Sequence, residues 1–144
     1  MEYHRGYTLL ELLIALTVVS ILAVIAVPIY LNYELRAKIT EGFSVAEPVK
    51  VMVTDYYQTM GNWPDSNSTA GVGDPTSFRT EYVDAITVAK SGPGAAITIT
   101  YRMTALGSNN TVILTSSANA GHAVLWQCTG GSLIEKYRPA ACKS

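Results

Sequence analysis

Few residues of this 144-residue chain could do chemistry, and one of them, Glu11, stands in an unexpected place. Residues 12–33, which follow it, read LLIALTVVSILAVIAVPIYLNY and contain no charge. On insertion scales, a charged side chain in a membrane helix costs about 2.5–3.5 kcal/mol at the bilayer centre. A carboxylate that opens such a run therefore needs a functional reason.

Two cysteines, Cys128 and Cys142, are the next candidates, and both lie near the C-terminus. Behind a membrane segment, a pair of cysteines indicates one disulfide that forms outside the cytoplasm. A metal site is a weaker alternative, because it would need three or four ligands and His122 is the only histidine beyond His4. A reactive cysteine paired with His122 is the other alternative that stays open.

The acids of the remaining chain do not form a catalytic set, because no pair of them has a recognisable spacing. They are scattered as Asp55, Asp65, Asp74, Glu81, Asp84 and Glu135. The sequence also has no phosphate-binding G-x-x-x-x-G-K-[ST], no dinucleotide-binding G-x-G-x-x-G and no calcium loop. We therefore expect no enzymatic activity, no cofactor and no metal.

The length of the chain leaves room for one membrane segment and one small domain. The formal net charge is -1, which indicates no strong electrostatic partner. Lys136, Arg138 and Lys143 lie beside Glu135 in a modestly basic segment that could contact DNA or an anionic host surface. Three solvated side chains are the simpler interpretation, since no aromatic and basic stripe accompanies them.

The element that must position Glu11 is the apolar stretch from Tyr7 to Tyr33, which is long enough to cross a bilayer as a helix. Pro28 removes one backbone hydrogen bond late in this stretch and should kink or loosen the helix there. A secretory signal peptide is disfavoured, because the run is too long and has no A-x-A site at its end. A plain single-pass anchor explains the length but gives Glu11 no role.

The helix is predicted to continue past the membrane segment, over residues 34–60. Apolar or small residues recur there at three- and four-residue spacing, as in one stripe of an amphipathic helix. They are Leu35, Ile39, Gly42, Ala46, Val49, Val53, Tyr56 and Met60. The two halves together make a helix of roughly fifty residues, about 75 Å long. Because Pro48 cannot donate to the carbonyl of Ser44, we expect a second bend, unless Pro48 ends the helix.

Residues 61–81 are predicted to form a long surface loop, and residues 82–128 a sheet. The loop begins at the turn-forming Gly61-Asn62-Trp63-Pro64, with Trp63 as a packing anchor. Four strand candidates follow, separated by turns rich in glycine and asparagine: Tyr82–Val88, Ala95–Met103, Thr111–Ser116 and Ala123–Cys128. Short turns between successive strands predict an antiparallel meander, which the apolar stripe of the helix would cover.

The N-terminus resembles that of type IV pilins and their pseudopilin relatives. A short leader ending in Gly6 carries the resemblance, followed by Tyr7, Thr8, Leu9, Leu10, Glu11, Leu12 and, late in the apolar run, Pro28. The family usually has phenylalanine where this chain has Tyr7, and a more basic leader. Trp126-Gln127-Cys128 and the segment from Tyr137 to Cys142 resemble the C-terminal, disulfide-bounded loop of the shorter type IVa pilins.

The resemblance implies the type IV pilin fold, which belongs to the α+β class. A long N-terminal helix, transmembrane in its first half, packs in that fold on a four-stranded antiparallel sheet with a disulfide-bounded loop at the C-terminus. The chain would then divide into a leader (1–6), a transmembrane and polymerisation half-helix (7–33) and a globular head (34–144). Within the head, the disulfide loop would be residues 128–142.

The resemblance also implies how the N-terminus is processed and used. A prepilin peptidase, which is also the N-methyltransferase, would cut between Gly6 and Tyr7 and methylate the new terminus. Glu11 of an incoming subunit would then meet the Tyr7 amine of a neighbour already in the filament. Pro28 belongs to the same assembly helix.

Glycosylation sites are suggested at three positions. Ser144 is a candidate because some related pilins carry a glycan on a C-terminal serine. Asn67 and Asn109 each begin an N-glycosylation pattern, which is a weak signal on its own.

The implied function is structural: a type IV pilus subunit of a bacterium. It would lie in the inner membrane and then be assembled, by the pilus machinery, into a homo-oligomeric helical filament on the cell surface. Such a filament serves adhesion, twitching motility or DNA uptake. A minor pilin, a type II secretion pseudopilin and a single-pass membrane-anchored extracytoplasmic binding protein are the alternatives. Cys128 and Cys142 favour the pilus, because major pseudopilins usually lack this disulfide and bind calcium, while Glu11 disfavours the anchored binding protein.

Overall fold

The computed structural model describes residues 6–119, 121 and 123–143, so residues 1–5 of the predicted leader lie outside the described residues. One helix, α1 (Leu9–Met60), is followed by four strands: β1 (Val83–Ser91), β2 (Gly94–Tyr101), β3 (Thr111–Ala118) and β4 (Val124–Gly130). Short 3₁₀ turns occur at Pro75–Phe78, Thr104–Leu106, Glu135–Tyr137 and Ala140–Cys142. The chain divides into two compact units between Leu35 and Arg36.

Helix α1 runs without interruption through both Pro28 and Pro48. The alternative in which Pro48 ends the helix is therefore wrong. Pro48 and Ser44 are both exposed, so water can bind the Ser44 carbonyl that lacks its helical donor. The helix begins at Leu9 rather than at Tyr7, because Thr8 forms its N-terminal cap.

The predicted apolar stripe is buried in its central part and exposed at its end. Its buried residues are Ile39, Gly42, Ala46, Val49 and Val53. Met60, which was expected to complete the stripe, is 60% exposed because it is the last residue of the helix, next to the turn at Gly61. The centre of this stripe therefore forms the helical side of the core.

The four strands form one antiparallel sheet in the order β1-β2-β3-β4, which confirms the predicted meander. Alternate residues of β1 to β3 are buried on one face of the sheet, as a sheet with one covered face requires. β1 and β4 each extend past their predicted ends, to Ser91 and Gly130. The sequence pattern missed these ends because polar residues there interrupt the apolar alternation.

Helix α1 approaches the sheet closely at Gly42. A Cβ atom at this position would lie 2.5 Å from the hydroxyl oxygen of Tyr101, which is nearer than a real Cβ contact allows. The Tyr101 hydroxyl donates a 2.7 Å hydrogen bond to the backbone carbonyl of Ile39. Burial raises the pKa of Tyr101 well above its usual range, so the phenol stays a donor. Glycine is thus required for this contact.

Residues 61–81, predicted to be a loop, pack against the head around Trp63. The Trp63 ring is buried and stacks on Tyr57 with 4.0 Å between the ring centroids, which confirms its expected role as an anchor. The stretch also contains a helical turn, in which the Ala70 amide donates to the Ser66 carbonyl. Local turns of this kind satisfy backbone groups that a plain loop would leave to water.

Asn67 closes the outer edge of the sheet at β1. Its side-chain oxygen accepts a 2.6 Å hydrogen bond from the Val88 amide, and its side-chain nitrogen donates to the carbonyls of Ile86 and Gly73, each at 3.0 Å. The amide thus takes the place of a neighbouring strand on an edge that would otherwise be unpaired. Asn67 is only 6% exposed, so its glycosylation pattern is inaccessible in the folded head.

We expect Gly42→Ala to destabilise the head. Alanine favours a helix over glycine by about 1 kcal/mol, but overpacking against the Tyr101 ring costs about 1–3 kcal/mol, so steric strain prevails. Thermal unfolding of the full-length chain in detergent, followed by near-ultraviolet circular dichroism, measures the difference. Ser44→Ala, at an exposed position of the same helix, is the matched control and should leave stability equal or slightly higher. A Gly42→Ala chain as stable as its control would contradict the close packing.

Candidate functional site

The first half of helix α1 is exposed on every side. Every residue from Leu9 to Tyr33 is exposed, and most are large and apolar. Within the part of the chain that the structure describes, helix α1 is the one helix that is long and apolar enough to cross a membrane. An α-helix that is hydrophobic all round is stable only in lipid or among other apolar helices.

Glu11 forms a capping box with Thr8 at the start of this helix. The Thr8 amide and the Thr8 hydroxyl each donate to the Glu11 carboxylate at 3.0 Å, while the Glu11 amide donates to the Thr8 hydroxyl at 3.3 Å. Two of the helix amides that lack intrahelical partners are thereby satisfied. The spacing T-x-x-E was present in the sequence and could have predicted this cap.

The polar side chains farther along the exposed half bond within the helix. The hydroxyls of Thr17 and Ser20 donate to the carbonyls of Ile14 and Leu16, at 2.8 and 2.7 Å. Asn32 donates through its side chain to the Pro28 carbonyl at 2.9 Å. Because these donors are satisfied locally, they do not oppose an apolar environment.

The C-terminal segment is closed by a disulfide between Cys128, in β4, and Cys142, with 4.9 Å between their Cα atoms. Leu133, near the start of the closed loop, is 1% exposed, and its amide donates to the Thr111 carbonyl at 2.9 Å. The loop is therefore packed against the head at β3 as well as bonded to β4. The metal site and the reactive cysteine, which both require a free thiol, are wrong as interpretations of these two cysteines, because neither sulfur is free.

Comparison with known proteins gives the same assignment from two separate parts of the chain. Residues 35–143 match the pilin family of bacterial filament proteins, and residues 1–27 match the prokaryotic N-terminal methylation motif. The chain belongs to the pilin family. The exposed helix and the disulfide-closed head are thus the two halves of a pilin.

Individual relatives of this pilin are named as fimbrial proteins or as a type IV major pilin protein. Fimbrial protein EcpC of Eikenella corrodens is 32% identical over 99% of this chain and 93% of its own length. A fimbrial protein of Moraxella nonliquefaciens is 29% identical over 99% of both chains. Type IV major pilin protein PilE1 of Neisseria gonorrhoeae is 39% identical over 76% of this chain but only 63% of its own length. This pilin therefore spans less than two thirds of the gonococcal protein.

In the basic segment of this pilin, Lys136 and Lys143 are exposed as the prediction of three solvated side chains requires, but Arg138 differs from it. Arg138 is half-buried and donates to the backbone carbonyls of Leu133 and Gly131, at 2.8 and 2.9 Å. The Lys136 ammonium lies 4.4 Å from the Tyr137 ring centroid. Arg138 thus holds the disulfide loop in shape. No sequence pattern predicts these contacts of Arg138, because the acceptors are backbone carbonyls.

The remaining predicted sites concern metal binding, His122 and glycosylation. Among residues 6–119, 121 and 123–143, no cluster of three or more histidine, cysteine or acidic side chains could hold a metal ion. His122 and the candidate glycosylation site Ser144 lie outside the described residues. Asn109, the second N-glycosylation pattern, is exposed.

We expect serine at Cys128 or Cys142 to lower the free energy of unfolding of the head by about 3 kcal/mol, the chain-entropy value for a loop of ~15 residues. The two cysteines act as one bond, so the double variant should lose no more than the larger single loss. Chemical denaturation of the full-length pilin in detergent, with and without reductant, measures both. Single losses of free energy that add in the double variant would contradict a stabilising disulfide. Variants as stable as the oxidised wild-type pilin would contradict it as well.

Proposed function

We propose that this pilin is a structural subunit of a type IV pilus, held in the inner membrane by residues 7–33 before its assembly into a surface filament. The observation that carries the proposal is the apolar surface of helix α1 from Leu9 to Tyr33, which is exposed all round. Lipid covers that surface in the membrane, and the same helices of other copies cover it in a filament. In this role the chain has no turnover of its own.

Cleavage between Gly6 and Tyr7 by a prepilin peptidase, with methylation of Tyr7, prepares the subunit in this proposal. The match of residues 1–27 to the N-terminal methylation motif supports it. The scissile bond lies just ahead of the Thr8 cap, where the chain is not yet helical. A peptidase can therefore reach the peptide bond there without first unwinding a helix.

The amine that this cleavage creates on Tyr7 is the proposed partner of Glu11. A buried carboxylate and a buried amine are each costly in an apolar filament unless they meet. Within one chain the carboxylate is held by Thr8, so the capped Glu11 is oriented before assembly. We propose that it then pairs with the amine of a neighbouring subunit and so sets the axial register. The surrounding leucine, valine and isoleucine contacts would tolerate a slide by one turn.

Pro28 has a proposed role in the same helix. It leaves the carbonyl of Val24 without its usual helical donor. Because this hydrogen bond is missing, the backbone of the exposed half-helix can adjust most easily near Pro28 as subunits pack.

Surface roles are proposed for the filament as a whole. Adhesion, twitching motility and DNA uptake are the activities that such a filament serves. Arg138 is engaged by backbone carbonyls, so within the basic segment Lys136 and Lys143 are the side chains that could approach DNA or a host surface. Two weak contacts per subunit would act only through repetition along a filament.

Filaments sheared from the cell surface should contain this chain as their main protein. Its measured mass should be that of a chain whose first residue is Tyr7. Mass spectrometry of the sheared fraction measures both features. Gly6→Leu is the matched control: it should leave an uncleaved precursor in the membrane and no filaments. A minor share of the filament mass would indicate a minor pilin. An uncleaved chain, or one found only in membranes, would contradict the proposal.

Glu11→Val should reduce surface filaments about tenfold or more while the cleaved subunit remains in the membrane, because the amine of a neighbour loses its counter-charge. Glu11→Gln preserves the capping box but removes the charge, so its yield should fall between those of wild type and Glu11→Val. Thr8→Ala is the reverse control, since it weakens the cap by about 1 kcal/mol and keeps the carboxylate. Quantified shear yields compare the three variants.

The pattern of these yields separates two roles of Glu11. Thr8→Ala filaments close to wild-type yield, with a clear loss in Glu11→Gln, would support pairing with a neighbour's amine. An equal loss in Thr8→Ala and Glu11→Val, with Glu11→Gln normal, would mean that Glu11 serves only as a helix cap.

A further inference from the structure

The two edge strands of the sheet, β1 and β4, differ in how their outer backbone groups are covered. At the β1 edge, the Asn67 side chain bonds to the amide of Val88 and to the carbonyl of Ile86. Strand β4 contains no charged residue and no proline, which are the residues that normally keep a free edge from pairing with another strand. The β4 edge therefore lacks the usual protection of an edge strand.

Val124 and Trp126 direct their backbone groups out of the sheet at the β4 edge. Along an antiparallel strand, the amide and carbonyl of one residue point to the same side, and the side alternates from residue to residue. The Asn119 amide donates to the Ala123 carbonyl, so Ala123 and every second residue from it to Gln127 face β3. The residues between them face outward, and within residues 6–119, 121 and 123–143 no strand or loop pairs with their backbone groups.

A cleft of about 530 Å³ lies beside this edge, where β4, helix α1 and the disulfide loop meet. We call it the β4 cleft. Trp126 separates it from a neighbouring hollow of about 340 Å³, and the Trp126 ring nitrogen donates to the Thr54 hydroxyl at 3.3 Å, which holds the ring in place. A strand added at the β4 edge would point every second side chain toward these two spaces. The residues that line the β4 cleft include Phe43, Glu47, Lys50, Cys128 and Ala141.

The charges around the two spaces favour a basic ligand. The Glu47 carboxylate and the Lys50 ammonium form an ion pair of 2.7 Å. The Glu47 side chain is 60% exposed and that of Lys50 only 22%, so the carboxylate is the more accessible charge. Asp55, which lines the neighbouring hollow, is exposed and forms no ion pair with any other described residue. Two acids thus face one base, and a lysine or arginine side chain would balance them.

These features restrict the partner. An acidic cleft repels the phosphates of nucleic acid. A second copy of β4 supplies no basic side chain, and pairing of two β4 edges would bring two acidic clefts together. An extended peptide from another protein fits better, because its backbone can bond to the edge while its alternate side chains fill the two spaces.

We propose that the β4 edge binds an extended peptide segment of a partner protein, which adds to the sheet as a fifth strand and places a lysine or arginine side chain in the β4 cleft beside Glu47. The contact needs one head and no filament, so it goes beyond the proposed pilus function and does not depend on it. The disulfide loop limits the open edge, because the Cα atom of Cys142 lies 4.9 Å from that of Cys128. A single contact is therefore weak, and copies repeated along a filament would strengthen the binding of a multivalent partner.

The probe is a heptapeptide with blocked ends, in which four threonines alternate with valine, lysine and valine, so that the lysine and both valines share one face. Full-length pilin in detergent is titrated with this peptide, and amide hydrogen exchange is followed by nuclear magnetic resonance. The amides of Val124 and Trp126 should exchange quickly in the free pilin and about tenfold or more slowly at saturation. The Leu125 amide, which faces β3, should exchange slowly in both states.

Two altered peptides separate the backbone contact from the charge contact. A peptide N-methylated at its three central residues cannot donate to the β4 edge, and it should bind about tenfold or more weakly. A peptide with glutamate in place of lysine meets Glu47 with a like charge, and it should bind weakly as well.

Variants of the pilin repeat both tests. Val124→Pro removes an outward amide at the first residue of β4, where proline leaves the bonds to β3 intact, and should weaken peptide binding severalfold. Val124→Ala keeps the amide and should bind as wild type does. Glu47→Gln should weaken binding of the lysine peptide severalfold, whereas Glu135→Gln, which removes an exposed acid outside the β4 cleft, should leave it unchanged.

Equal binding of the N-methylated peptide would overturn the proposal, as would equal binding of the glutamate peptide or unchanged exchange at Val124 and Trp126. Protection of these two amides without peptide, rising with pilin concentration, would overturn it in favour of a second copy at the β4 edge. The altered peptides leave the pilin itself unchanged, so they decide the question even if Val124→Pro does not fold. None of these outcomes depends on filaments, so the proposed pilus function would stand in each.

Discussion

One constraint governs this chain: a single helix must satisfy two different surroundings along its length. From Leu9 to Tyr33 helix α1 is apolar on every side, whereas from Arg36 onward only one stripe is apolar. The first half therefore needs lipid or other helices, and the second needs the sheet of its own head. The local hydrogen bonds of Thr17, Ser20 and Asn32 follow from the same constraint, since each removes an unsatisfied donor from the apolar half.

The free energy of the cap and the cost of burying the carboxylate together indicate the role of Glu11. Its capping box with Thr8 is worth about 1 kcal/mol. Removing a carboxylate from water costs several kcal/mol even after relaxation, so the cap alone does not explain a charge at this position. An opposite charge from another subunit would offset the difference, and the cap would then hold the carboxylate in position for that contact.

Much of the fold could be predicted from the sequence, because apolar spacing of three and four residues marks a helix face and alternation marks a strand. Tyr101 and Gly42 show where this reasoning stops. Their close contact depends on the exact separation of helix and sheet, which no local pattern encodes. Asn67 and Arg138 were missed for a related reason: their partners are backbone groups distant in sequence, which any residue type supplies. The cap at Thr8, by contrast, follows from the T-x-x-E spacing alone.

In an assembled filament, we expect the Glu11 carboxylate to meet the Tyr7 amine of a neighbouring subunit. Electron cryo-microscopy of sheared filaments, at a resolution that shows side chains, tests it most directly. The account predicts a distance of about 4 Å or less between a Glu11 carboxylate oxygen and the Tyr7 nitrogen of an adjacent copy. A Glu11 side chain that contacts only Thr8 of its own chain, with the neighbouring amine elsewhere, would contradict it.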